Sequence, residues 1–252
     1  MINRKLWLCI YTSLTFLGYI NTAKAETNYE ALHLNHNIVA KYENGGFGYK
    51  AVSKDSYGGY SYGKWQISTK RSKNGLSTFD YFIQYTKHKN IIIYNTLQNA
   101  GGYEAAFCGK SIFIDTWKNL ANNRNFQILY DNFILDTQII PVYKRLDANN
   151  YEQLTSWCSE DDIMQAALNS IIVQHGPGGA YNIIKNVFSE NAIENKKKFL
   201  DSLYKYRIKK YSKYRRRYVA EYNDLIKNLK EEKQIKITKE ISILDRLHNI
   251  FS

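Results

Sequence analysis

The sequence predicts a mainly α-helical domain of the α+β class, with one small Gly/Tyr-rich β-hairpin near its start. From residue 78 onward, apolar residues recur at helical spacing over most of the chain. Before that, residues 44–63 carry glycines at 45, 46, 48, 58, 59 and 63 among alternating small and aromatic side chains, the composition of tight turns and short strands. The whole chain has 252 residues, 44% of them apolar and 15% aromatic, with only 2 Pro. That is too apolar and aromatic for a disordered chain, and the composition excludes collagen-like, coiled-coil and multipass membrane classes.

The elements follow in order. Residues 1–25 pair Arg4 and Lys5 with an apolar run from Leu6 to Ile20 and end in Ala23-Lys24-Ala25. A charged start, a short apolar stretch and a small-x-small site describe a signal peptide, and the run falls short of the roughly 20 residues that span a bilayer. Cleavage after Ala25 removes Arg4, Lys5 and Lys24, lowering the net charge from +12 to +9. A secreted or periplasmic protein is expected. Residues 26–232 then form one domain. Helices are predicted over 28–43, 78–87, 103–120, 123–147, 160–175, 178–189 and 196–231, with Gly176-Pro177 breaking the two that flank it. Residues 233–252 form a tail with the pattern of a further amphipathic helix.

Export bears on the cysteines. Without Cys9 the chain keeps Cys108 and Cys158, an even number in an oxidising compartment, where they form a disulfide or else stay as buried thiols. No C-x-x-C or Cys/His cluster has metal spacing, and no metal or cofactor is expected. Residues 196–217 hold eleven Lys/Arg and one acid, Asp201. Tyrosines interleave with them, as in a nucleic-acid strip, but apolar residues at helical spacing equally describe an amphipathic helix pair with a solvated basic side. Export disfavours a nucleic-acid partner, and an anionic cell wall accounts for the same charge.

The candidate catalytic pair is Glu43 and Asp55. Glu43 ends an apolar helix at a glycine turn, and Asp55 stands at the mouth of the hairpin. Glycoside hydrolysis needs two carboxyls across the scissile bond, one protonated and one ionised. A carboxyl beside aromatics is suited to the first role and one on a wet hairpin to the second. Two acids twelve residues apart are common, so the neighbouring residues carry the weight.

Those neighbours read Tyr42-Glu43-Asn44-Gly45-Gly46, Val52-Ser53, Asp55, Gly58-Gly59, Ser61-Tyr62-Gly63 and Trp65-Gln66. The series resembles the active-site stretch of lysozyme-fold glycan hydrolases, and more closely the muramidase domain that ends some type VI secretion spike proteins and related chitosanase-like phage domains. Residues 161–188, 199–211 and 215–226 are similar to further segments of that family, so the likeness covers roughly residues 35–230. Asn44 stands where the family has Ser, Trp65 where it has Tyr, and Asp55 lies one residue further from its glycine pair.

The resemblance implies a lysozyme-like fold and a muramidase that cuts the bond between N-acetylmuramic acid and N-acetylglucosamine. Glu43 would protonate the glycosidic oxygen, and Asp55 would orient or deprotonate water. Ser61, Tyr62, Trp65, Gln66 and His175 are the substrate-binding candidates. Tyr62 and Trp65 would stack on sugar faces or fill the hairpin core, and His175 would face substrate or pack at a helix end. The same motif order is similar to lytic transglycosylases, which use one carboxyl, and a wall-binding module without catalysis is a third reading. Charge separates two substrates: chitosan is cationic and peptidoglycan carries carboxylates, so a basic protein favours peptidoglycan. A monomer acting on peptidoglycan strands is expected.

Overall fold

The computed structural model describes residues 27–34, 41–42, 46–56, 58–71 and 75–230. The expected signal peptide, the 233–252 tail and Glu43 lie outside the described residues.

Three short antiparallel strands form the sheet: β1 (Val52–Lys54), β2 (Tyr60–Tyr62) and β3 (Ile67–Ser68), in that spatial order. Val52 pairs with Tyr62 and Ser53 with Ser61, while Ser61 and Tyr62 also pair with Ser68 and Ile67. Because side chains alternate along a strand, this register sorts the sheet into two faces. Tyr62 and Ile67 turn to the core, and Ser53, Ser61 and Ser68 form a row across the other face.

Helices follow: α1 (Thr78–Lys89), α2 (Ile91–Asn99), α3 (Gly102–Cys108), α4 (Ser111–Leu120), α5 (Arg124–Ile134), α6 (Ile140–Asp147), α7 (Glu152–Glu160), α8 (Asp162–Glu190), α9 (Lys196–Lys210) and α10, residues 215–230. The mainly helical α+β class is as expected, but several predicted helices are divided. The helix expected at 78–87 is found as α1, whereas α2 was not expected: Asn90 ends α1 and caps α2, its side chain accepting from the Ile93 amide. Gly109 splits 103–120: it takes φ 63°, and a Cβ there would sit 2.2 Å from the Tyr60 ring, a close approach that glycine alone permits. Between α5 and α6 the chain widens into a π turn, Leu135–Ile139, just before Pro141. Proline has no amide for the α-helical ladder, and the wider turn carries the chain past it. Helix α8 is interrupted at Gly176 (φ 68°, ψ 171°), where the Gly-Pro pair predicted a break.

The expected helix at 28–43 is not found where its start is described. Tyr29–Ala31 is a single 3-10 turn capped by Asn28, and residues 32–34 are not helical. Side chains of α8 take the backbone groups that a helix would pair internally. The His33 amide donates to Gln165 Oε1 (2.8 Å), and Asn169 Nδ2 donates to the His33 carbonyl (3.2 Å). Gln165 is 1% exposed and Asn169 fully buried, and these contacts to the segment give both side chains hydrogen-bond partners inside the fold, with Gln165 Nε2 also donating to the Cys158 carbonyl (3.0 Å).

The sheet's apolar face meets an aromatic cluster. The Tyr62 ring lies 5.1 Å from Trp117, 5.4 Å from Phe113 and 5.5 Å from Phe79, centre to centre. Phe82, Phe126, Tyr130 and Phe133 extend it, all fully buried. Such pairs contribute about 0.5–1.5 kcal/mol each beyond the area they bury. Among the described residues no helix is long and apolar enough to cross a membrane.

The Cys108–Cys158 bridge is absent; both are free thiols. Cys108 is exposed at the end of α3, whereas Cys158 is buried in α7 and donates to the Met164 carbonyl (3.4 Å). Burial pushes the Cys158 thiol well up, since a thiolate would be unsolvated there.

Candidate active site

The polar face of the hairpin gathers the predicted carboxylate and its supports. Asp55 follows β1 and shares the face of Ser53. Ser61 Oγ donates to both its oxygens (2.9 and 3.0 Å), and Ser68 Oγ donates to Oδ2 (2.9 Å). The Asp55 amide reaches the Gly59 carbonyl (3.0 Å) and the Gly58 amide the Asp55 carbonyl (3.1 Å), which closes the turn. Gly58 and Gly59 have φ of 94° and 81°, and a Cβ on Gly59 would meet Thr69 Oγ1 at 2.6 Å, so the tight turn needs glycine. Asp55 is half-buried and held from two neighbouring strands. Ser68 was not singled out in the sequence; the signal for it was the alternation that puts it beside Ser61.

Glu43, with Asn44 and Gly45, lies outside the described residues. What precedes it is tied to the last helix. Tyr42 Oη and Lys41 Nζ both donate to Asp224 Oδ2 on α10 (2.7 and 2.8 Å). Lys41 and Tyr42 together hold the Asp224 carboxyl below the usual carboxylate range.

The five substrate-binding candidates divide. Ser61 supports Asp55 and is 6% exposed. Tyr62, its neighbour in the strand, points the opposite way. It is fully buried and its hydroxyl donates to the Ala106 carbonyl (2.8 Å), so it belongs to the core and offers no ring to a sugar. Trp65 is likewise core, at 3% exposure, with Nε1 donating to Asp131 Oδ1 on α5 (2.8 Å). Tyr49 Oη donates to the other Asp131 oxygen (2.5 Å), so one carboxylate fixes the segment before the sheet and the turn within it. Lys64 Nζ lies 4.6 Å over the Trp65 ring, and burial lowers its ammonium below the ordinary lysine value, partly opposed by Asp131.

Gln66 is the exception among the aromatic-flanked positions. It has φ 50°, costing a side chain with a Cβ about 1–2 kcal/mol. Two hydrogen bonds hold it there: Nε2 donates to the Gly63 carbonyl (2.9 Å) and Oε1 accepts from Ser53 Oγ (2.5 Å). The turn needs Gly63, whose φ is 77° and where a Cβ would meet the Tyr130 ring at 2.7 Å.

His175 stands apart from the hairpin. It closes the first half of α8, and its ring lies 4.6 Å from that of Tyr211. Burial, then the neighbouring Arg207 and Arg217, lower its pKa to about 4, against a smaller opposing pull from Glu221. The ring thus packs against Tyr211 at a helix end. Around it, Arg207 on α9 donates to Gln174 Oε1 on α8 (2.6 Å) and faces Glu221 on α10 (3.5 Å), with Tyr204 Oη donating to Glu221 (2.8 Å). The basic segment is therefore mixed in role. Arg207 is buried in this cluster, and Lys196 and Lys197 pair with Asp161 and Asp201 (2.9 and 2.6 Å). Much of the remainder lies on the solvent side of α9 and α10. Among the described residues, no three His, Cys, Asp or Glu stand together as a metal ligand set.

Comparison with known proteins agrees with this architecture. A GH46 chitosanase from Gynuella sunshinyii, solved with chitotetraose, superposes with a TM-score of 0.51 at 15% identity, covering 84% of this chain and 90% of its own. The chitosanase of Bacillus subtilis MY002 gives 0.50 at 21% identity, covering 78% and 87%. At these identities the likeness is one of fold. A search of curated proteins gives no significant match. The family model described as type VI secretion system spike protein VgrG3-like, C-terminal, matches residues 36–233. The chain belongs to that lysozyme-like glycoside hydrolase family.

Proposed function

We propose that the protein is an exported muramidase that hydrolyses the β-1,4 bond between N-acetylmuramic acid and N-acetylglucosamine in peptidoglycan. Glu43 is the general acid that protonates the leaving oxygen. Asp55 is the second carboxylate, which orients water at the anomeric carbon. The observation that carries this reading is the cradle of Asp55: three hydroxyl contacts from Ser61 and Ser68 keep it on the polar face of the hairpin. All three contacts come from neutral hydroxyls, which fix the orientation of the carboxylate on that face. A one-carboxyl transglycosylase has no use for such a cradle, so it favours hydrolysis over that second reading. Ser61 acts through Asp55, and Gln66 stands beside it as a hydrogen-bonding group for substrate.

The test is digestion of purified peptidoglycan followed by mass spectrometry of the fragments. Muramic acid reducing ends that carry added water are the expected product. Anhydro-muramyl ends would assign the transglycosylase reaction instead, and binding without any release of fragments would assign the wall-binding module.

A further inference from the structure

Beside the polar face of the hairpin lies a cavity of about 420 Å³ that shares Gln66 with the proposed site. It opens between the 3-10 turn Gly48–Lys50, the edge of β1 and the end of α4. Phe47, Lys50, Ser53, Gln66 and Lys118 line it, with Ala51 and Val52 as its apolar wall. Three features set it apart from ordinary surface. Its walls carry two ammonium groups, from Lys50 and Lys118, and no carboxylate. Both lysines are exposed, and neither forms an ion pair among the described residues. Phe47 is 77% exposed, a large apolar ring that the fold leaves uncovered at the same mouth. Gln66, held in a strained conformation by Ser53 and Gly63, supplies the fixed polar group.

We propose that this cavity is a subsite for a sugar bearing a carboxylate substituent. Phe47 lies against the pyranose face, Gln66 and Ser53 hydrogen-bond its polar groups, and Lys50 and Lys118 meet the carboxylate. The inference rests on the glycan-hydrolase reading and narrows its substrate to an anionic glycan. Two unpaired cations with no acid between them attract a carboxylate and repel a glucosaminium, so the same residues select for one charge class and against the other. In peptidoglycan the carboxylate comes from the lactyl group of muramic acid or from its peptide stem, which present the same chemistry.

Equilibrium binding to the full chain carrying Glu43→Gln, which keeps the ligand intact, tests this with four tetrasaccharides. One alternates N-acetylglucosamine and N-acetylmuramic acid without peptide, one is the same with peptide stems, one is neutral chitin, and one is cationic chitosan. Anionic glycans are expected to bind about tenfold tighter than chitin, and chitosan weakest, with the preference shrinking as salt rises. Lys50→Gln and Lys118→Gln each lower affinity for the anionic glycans by about fivefold to tenfold and leave chitin unchanged. Loss confined to the stem-bearing ligand assigns the carboxylate to the peptide, and loss with both assigns it to the lactyl group. Equal affinity for all four glycans, or lysine variants that weaken chitin as much as the anionic ligands, overturns the subsite. If wild type cleaves peptidoglycan while the lysine variants keep wild-type discrimination, the subsite fails and the muramidase reading stands. If wild type cleaves only chitosan, both fail.

Discussion

Glu221→Gln is expected to destabilise the packing of the last three helices strongly, although it changes one functional group. The Glu221 side chain is 1% exposed and its partner Arg207 fully buried, with 3.5 Å between them. Arg217 Nε lies 3.8 Å from the other carboxylate oxygen, and the Arg207 guanidinium stacks 4.2 Å over the Tyr218 ring. At an effective dielectric constant of about 20, a pair at this separation attracts by about 5 kcal/mol. Glutamine keeps the volume and one acceptor but leaves a fully buried guanidinium and a second one beside it without that negative charge. Breaking a buried pair from one side costs about 3–5 kcal/mol. With a urea slope near 2 kcal/mol per molar, the unfolding midpoint falls by about 2 M. The double variant Arg207→Met with Glu221→Leu removes both charges and is expected to recover most of that loss. A midpoint for Glu221→Gln within about 0.3 M of wild type, or a double variant no better than the single one, would refute the reasoning.

Three further outcomes are expected. Asp55→Asn lowers turnover on peptidoglycan by at least about 10²-fold at unchanged thermal stability, whereas Ser68→Ala, which removes one of three supporting contacts, gives a smaller loss; steady-state rates with a melting curve separate the two. Gly109→Ala forces a Cβ against the Tyr60 ring at a positive φ, and chemical denaturation should show a loss of about 2–4 kcal/mol. His175 binds its proton more weakly in the fold than in the unfolded chain, so its contribution is fully present above about pH 6.5 and is lost as pH falls toward about 4. After allowance for its partial exposure this amounts to about 2 kcal/mol, and His175→Asn should flatten the slope of stability against pH in that window.

The class of fold and the position of the hairpin were legible because periodicity and glycine placement are local signals. The helix α2 and the division at Gly109 were not. Asn90 caps α2 through the Ile93 amide three residues on, and Gly109 is required by a Tyr60 ring that comes from another part of the chain. The absent helix at Tyr29–Leu34 has the same origin, since Gln165 and Asn169 outcompete its internal ladder from 130 residues away. At the candidate site, the motif Ser61-Tyr62-Gly63 does not act as a unit. Strand alternation sends Ser61 to the polar face and Tyr62 to the core, and the pairing with Ser68 becomes visible only when the register is known. Trp65 was drawn inward by Asp131, a partner with no sequence signature. The cavity between Lys50 and Lys118 was hidden for the same reason, because residues far apart in the chain form its two charged sides.

The most direct measurement of the central claim compares wild type with Glu43→Gln on purified peptidoglycan, with released reducing ends counted by mass spectrometry. Wild type is expected to release muramic acid reducing ends steadily, and the variant to lose at least about 10²-fold of that release at equal folded fraction. Equal release by the two proteins would contradict that claim.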